Sequence, residues 1–116
     1  MSKILLFAAA LAVAPVIAFA GDTQTAAVQP TVVEIHNMKF NPPTLSIAAG
    51  TKVTWVNEDS SPHTVTDKGK VFRSAGLDTK DSFSYTFESP GEFTYFCTIH
   101  PMMTGKIVVK PAGSSS

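Results

Sequence analysis

A second cysteine is missing from this chain of 116 residues, so Cys97 has no partner for an intramolecular disulfide. Helical periodicity is missing as well. No stretch of ten or more residues repeats apolar side chains at helical spacing, and only residues 71–78, VFRSAGLD, have room for a short helical turn. Nor is there a surplus of either charge, with nine Lys and Arg against nine Asp and Glu. That balance leaves no electrostatic footprint for nucleic acid or an anionic lipid surface. G-x-S-x-G, H-E-x-x-H and Gly-rich phosphate loops are all absent, so the sequence points away from an enzyme of those classes.

What is present begins with a leader pattern. MSK carries one positive charge, ILLFAAALAVAPVIAFA is apolar and broken by Pro15, and Ala18 and Ala20 frame an A-x-A site before Gly21. Residues 1–20 are therefore expected to be a cleaved signal peptide, with the mature chain exported. No second apolar run is long enough to span a membrane. Removing the leader leaves 96 residues, enough for one small core. It also removes Lys3, leaving eight basic against nine acidic side chains. Residues 21–31 are expected to form a loose arm, 32–111 the domain and 112–116 a flexible tail.

Within the domain, strand signals follow one another. TVVEIHNMKF is β-rich with imperfect alternation, NPP breaks it, and TLSIAAG and TKVTWVN follow. EDSSP is turn chemistry and HTVTD resumes an extended pattern. DSFSYTF alternates most cleanly, with Phe83, Tyr85 and Phe87 on one face. SPGE reads as a turn between that strand and FTYFC, and KIVVK closes the series. Seven to eight short strands predict an all-β sandwich with Greek-key or mixed-sheet connections. Trp55 is assigned to its core, and so is Met38, with the metal-side surface as its alternative; His36 is assigned to the surface, and Lys68, Lys70 and Arg73 to a solvated turn, with a docking patch for an acidic partner as the alternative.

An unpaired cysteine in an oxidising compartment is a liability unless it is buried or bonded. A buried thiol packing as a small hydrophobe is the plain alternative. The local sequence argues for a bond: FCTIHPMMTG sets Cys97, His100 and Met103 in C-x-x-H-x-x-M spacing, so a loop leaving a strand can turn all three donors to one centre. His63, 34 residues earlier in SSPHTV, is the second histidine candidate. Such separation is unlike a zinc finger, whose ligands lie in short local pairs. Thiolate, two imidazoles and a thioether form a soft set that favours copper; zinc is the alternative ion, although thioether serves it poorly.

MKFNPPTLSIAAGTKVTWVNEDSSPHTV and GEFTYFCTIHPMMTGKIVV together resemble the cupredoxins, small bacterial type I copper proteins of the plastocyanin and pseudoazurin group, most closely the amicyanin group with its short C-x-x-H-x-x-M loop. The resemblance spans nearly all of residues 32–110. It implies a Greek-key sandwich and one copper ion held by His63, Cys97, His100 and Met103. It also implies a periplasmic address and single-electron carriage by a monomer between transient redox partners, whether a dehydrogenase, a cytochrome or an oxidase. A copper carrier or storage protein of the same fold is the alternative function. Thr64 stands where many relatives have Asn, with its N–H expected to reach the Cys97 sulfur. Ile99 stands where such loops commonly have Pro, and its N–H is a candidate second donor to that sulfur. The resemblance further implies an apolar docking patch around His100, formed by Pro62, Pro101 and Met102 with help from Met38.

Overall fold

Period-two alternation along the chain becomes inward and outward faces of strands in a computed structural model that describes residues 31–113. The expected leader and nearly all of the arm, residues 1–30, and the end of the tail, residues 114–116, lie outside the described residues. Eight strands follow in order: β1 (Thr31–His36), β2 (Lys39–Asn41), β3 (Thr44–Ala48), β4 (Thr51–Asn57), β5 (Thr66–Asp67), β6 (Ser82–Phe87), β7 (Gly91–Phe96) and β8 (Thr104–Lys110). They form two mixed four-stranded sheets, β2-β1-β4-β6 and β3-β8-β7-β5. β1 runs parallel to β4 and β3 parallel to β8, and the other pairs are antiparallel. This is the all-β Greek-key sandwich expected, and no described helix is long and apolar enough to cross a membrane.

The inner faces meet around Trp55. Its indole lies 5.4 Å from the Tyr95 ring and 5.7 Å from those of Phe72 and Phe83. Val33, Ile35 and Val53 from one sheet close on Ile107 and Val109 from the other. Burying each large apolar side chain stabilises by about 1.5–3 kcal/mol. A surface ion pair such as Lys106–Glu92, at 3.4 Å, contributes at most about 1 kcal/mol. Core packing therefore positions the loops. One close approach depends on glycine: Gly105 faces Tyr95 across β7 and β8, and a Cβ there would lie 2.4 Å from the phenol ring. Burial pushes the Tyr95 hydroxyl up to about 12.

Two local readings are corrected. VFRSAGLD contains no helical turn, because its backbone pairs with the chain around His63. Ser74 N–H donates to Val65 O at 2.8 Å and Leu77 N–H to His63 O at 2.7 Å, while Phe72 and Leu77 point into the core. TVVEIHNMKF divides between β1 and β2. Asn37 and Met38, with φ of 53° and 59°, make the two-residue reversal between β1 and β2. β1 also begins one residue inside the expected arm, at Thr31.

Candidate metal centre

β4 ends at Asn57, whose fully buried amide organises the loop that follows. Its Nδ2 donates to Ser61 O at 2.9 Å and Leu77 O at 2.8 Å, while its Oδ1 accepts the Asp59 N–H at 2.9 Å. His63 is then fixed from both sides, its N–H donating to Leu77 O at 3.0 Å and its carbonyl accepting from Leu77. The ring is 0% exposed.

The other donors arrive on the loop between β7 and β8. Cys97 follows the last residue of β7, and its N–H donates to Met103 O at 3.1 Å. Met103 N–H in turn donates to His100 O at 2.8 Å, so the loop closes on itself before β8 starts at Thr104. A seven-residue segment thereby brings Cys97 and His100 to the end of the sandwich where His63 lies.

The donor atoms converge. Nδ1 of His63 is 3.8 Å and Nδ1 of His100 3.9 Å from the Cys97 sulfur, and the two rings are 5.0 Å apart at 59°. All three ligating atoms lie within 4.8 Å of one another. Metal bonds of about 2.0 Å to nitrogen and 2.3 Å to sulfur, meeting at an obtuse angle, span just under 4 Å. The residues thus fit a single ion by spacing, and their softness fits copper. Thr64 N–H donates to the Cys97 sulfur at 3.3 Å, a bond that supports negative charge on a buried thiolate.

Each remaining residue singled out in the sequence can be placed. Met103 is 6% exposed and belongs to the core cluster, whereas Met102 is 94% exposed. Met38 is 41% exposed rather than core, because the left-handed turn that carries it swings the side chain outward. Met38, Ile99, His100, Pro101, Met102 and Met103 line one cavity of about 430 Å³, and Pro62 is exposed without joining that lining. Ile99 is 47% exposed. Among the described residues, the Thr64 amide donates to the Cys97 sulfur. His36 is exposed, as expected, and Lys68, Lys70 and Arg73 are solvated.

Two residues escaped the sequence. Thr98 donates its N–H to Thr64 Oγ1 at 2.7 Å and shares a hydroxyl contact with it at 2.8 Å, so the ligand loops are braced by a threonine pair. Asp59 Oδ2 lies 2.9 Å from His63 Nε2. Burial opposes ionisation of Asp59, but the amides of Met38 and Asn37 and the His63 ring outweigh it and hold the carboxyl below its ordinary value. A carboxylate only accepts, so a hydrogen bond at this distance uses a proton on the His63 Nε2 side, and the Nδ1 side of the ring faces Cys97. A carboxylate four residues before a ligand histidine was the available signal.

Comparison with known proteins agrees with this geometry. The family model for the cupredoxin-like domain matches residues 6–109. Amicyanin-alpha of Methylorubrum extorquens is 38% identical over 118 residues, covering 93% of this chain and 99% of its own. Amicyanin of Paracoccus denitrificans is 38% identical over 84 residues, 68% of this chain and 64% of that protein. Among solved structures, a methionine-to-alanine mutant of amicyanin in the Cu(I) form superposes with a TM-score of 0.67 at 33% identity, over 73% of this chain and 86% of that one. A purple cupredoxin from Nitrosopumilus maritimus gives 0.64 at 33% identity, over 69% and 99%. The sandwich, the convergent His-Cys-His cluster and these matches together make the chain a member of the cupredoxin-like family.

Proposed function

We propose that this protein is a type I copper electron carrier, with one ion per chain held by His63, Cys97 and His100 and with Met103 as a weak axial donor. The observation that carries the reading is the pair of imidazole Nδ1 atoms facing one buried sulfur at 3.8 and 3.9 Å. Copper supplies a one-electron couple between its cupric and cuprous states. The chain supplies the rest. Thr64 steadies the thiolate through its amide, the Thr64–Thr98 pair holds the two ligand loops together, and the buried His63 keeps one side of the site dry.

His100 is half-buried, so its ring edge is where electrons enter and leave. Met38, Pro101 and Met102 beside it, with Pro62 nearby in sequence to His63, supply apolar area for brief docking of redox proteins. A small interface suits rapid turnover. The reading also places the mature protein in the periplasm as a monomer after removal of residues 1–20, and gives the metal centre an electron-transfer role rather than a catalytic one.

Copper titration of the purified protein, followed by optical spectroscopy and voltammetry, tests the reading. An intense visible band saturating at one equivalent and a reversible one-electron wave are expected. Tight cuprous binding with no stable cupric form would instead assign the protein to copper carriage or storage.

A further inference from the structure

We propose that His36, Met38 and Met102 form an outer metal site selective for cuprous ion, at the mouth of the cluster and distinct from its four donors. The inference deepens the copper reading, because such a site delivers the ion toward His100. Binding at the outer site itself needs none of the inner ligands.

Soft donors are concentrated at one end of the sandwich. Past the initiator the chain has three methionines, Met38, Met102 and Met103, and all three line a cavity of about 560 Å³ with His36 beside them. The same three methionines, with His100, line the neighbouring cavity of about 430 Å³. Met103 is buried and assigned to the inner ion, whereas Met38, Met102 and His36 are exposed.

Local structure holds Met38 outside. Its φ of 59° lies in the left-handed region that a long L side chain rarely enters. Asp59 fixes that turn by accepting the Asn37 and Met38 N–H groups at 2.8 and 2.9 Å. The turn thereby sets a thioether in the wall of the cavity. His36 precedes it at the end of β1, and no described hydrogen bond occupies its ring: Nδ1 is 3.9 Å from Asp59 Oδ1, beyond hydrogen-bond reach. Met102 comes from the other side, on the loop between β7 and β8. One imidazole and two thioethers thus share a cavity wall from two separate segments.

The donor set chooses the ion. Thioether sulfur selects Cu(I), and it serves zinc poorly. Lys39 lines the same cavity, makes no described ion pair, and repels a dication twice as strongly as a monocation at equal distance. Access points the same way. Cys97 and His63 are fully buried, so the inner cluster opens to solvent beside the half-buried His100. On transfer, the bonds to Met38 and Met102 give way to bonds from His100 and then the Cys97 thiolate. The thiol proton passes to solvent and the ion stays cuprous throughout.

Methionine-methyl NMR under argon, with cuprous ion added as its acetonitrile complex, tests the site. The first equivalent should fill the inner cluster. The second should shift the Met38 and Met102 methyls and the His36 ring together, saturating at one ion. Met38→Leu/Met102→Leu, a nearly volume-conserving change, should lose the second equivalent and take up the first more slowly. Methyls that stay in place through the second equivalent overturn the proposal and leave these side chains as docking area alone. A second equivalent retained by the double variant overturns it as well. If that variant does not fold, the wild-type shifts decide. Cys97→Ala separates this result from the electron-carrier reading: without the inner thiolate, the same shifts should still appear, and their absence would overturn an independent outer site. A wild type that shows the shifts but fills no inner site sinks the electron-carrier reading and leaves the outer site standing.

Discussion

The two histidines of the cluster are held in opposite ways. His63 is fully buried, pinned by both backbone bonds to Leu77 and by Asp59 at its ring. His100 is half-buried on a loop that leans on its own turn, and its ring contacts lie with Cys97 and His63 and along an open apolar cavity. The sandwich thus supplies one rigid imidazole and one accessible imidazole to a single sulfur. Rigidity on one side keeps the donor spacing constant, and access on the other lets a partner come close. An electron carrier needs both, and this chain divides them between two loops.

Removal of each ring tests that division most severely. His63→Gly should abolish the visible band, and added imidazole should not restore it, because solvent does not reach the vacated space. His100→Gly should also lose the band but regain it with millimolar imidazole, which enters through the cavity lined by Pro101 and Met102. Optical titration of both variants with imidazole is the measurement. Equal rescue would erase the contrast between a sealed and an open side.

Much of this arrangement was legible in the sequence, for local reasons. Alternation in DSFSYTF and TKVTWVN exposes the strands directly, and C-x-x-H-x-x-M is a contiguous motif whose loop closes within seven residues. Asp59 was hidden because its donors lie at positions 37, 38 and 63, and EDSSP reads as any polar turn. Met38 was misplaced for the same reason: an apolar residue on a β-rich stretch belongs inside unless a distant carboxylate stabilises a left-handed turn. VFRSAGLD has no strong period of its own, and its extended course is set by pairing with Val65 and His63. Tertiary hydrogen bonds, which leave no periodic trace, account for each of these misses.

The adjacent methionines carry the same inside-outside contrast onto a finer scale. Met103→Gln replaces a buried thioether with a harder amide oxygen, which favours the cupric state, so the reduction potential should fall by more than about 59 mV, the equivalent of tenfold for one electron. Met102→Gln alters a side chain in open solvent and should shift the potential by less than that, while slowing electron exchange with a partner. Voltammetry of the two variants decides, and equal shifts would remove Met103 from the axial position.

Ile99→Pro should have the smallest effect, and it probes the accessible side alone. A second amide on the Cys97 sulfur would raise the potential by drawing electron density from the thiolate, and deleting it would lower the potential measurably. The sulfur instead takes its backbone bond from Thr64, on the buried side, while Thr98 turns its own amide to Thr64 Oγ1. Proline at position 99 therefore removes no described bond to sulfur and restricts a loop whose side chain is already half in solvent. Voltammetry should find the potential within about 30 mV of wild type, half of the tenfold interval. A larger fall would mean that the Ile99 amide reaches the sulfur in the metal-bound protein, and that the exposed loop, as well as the buried one, tunes the couple.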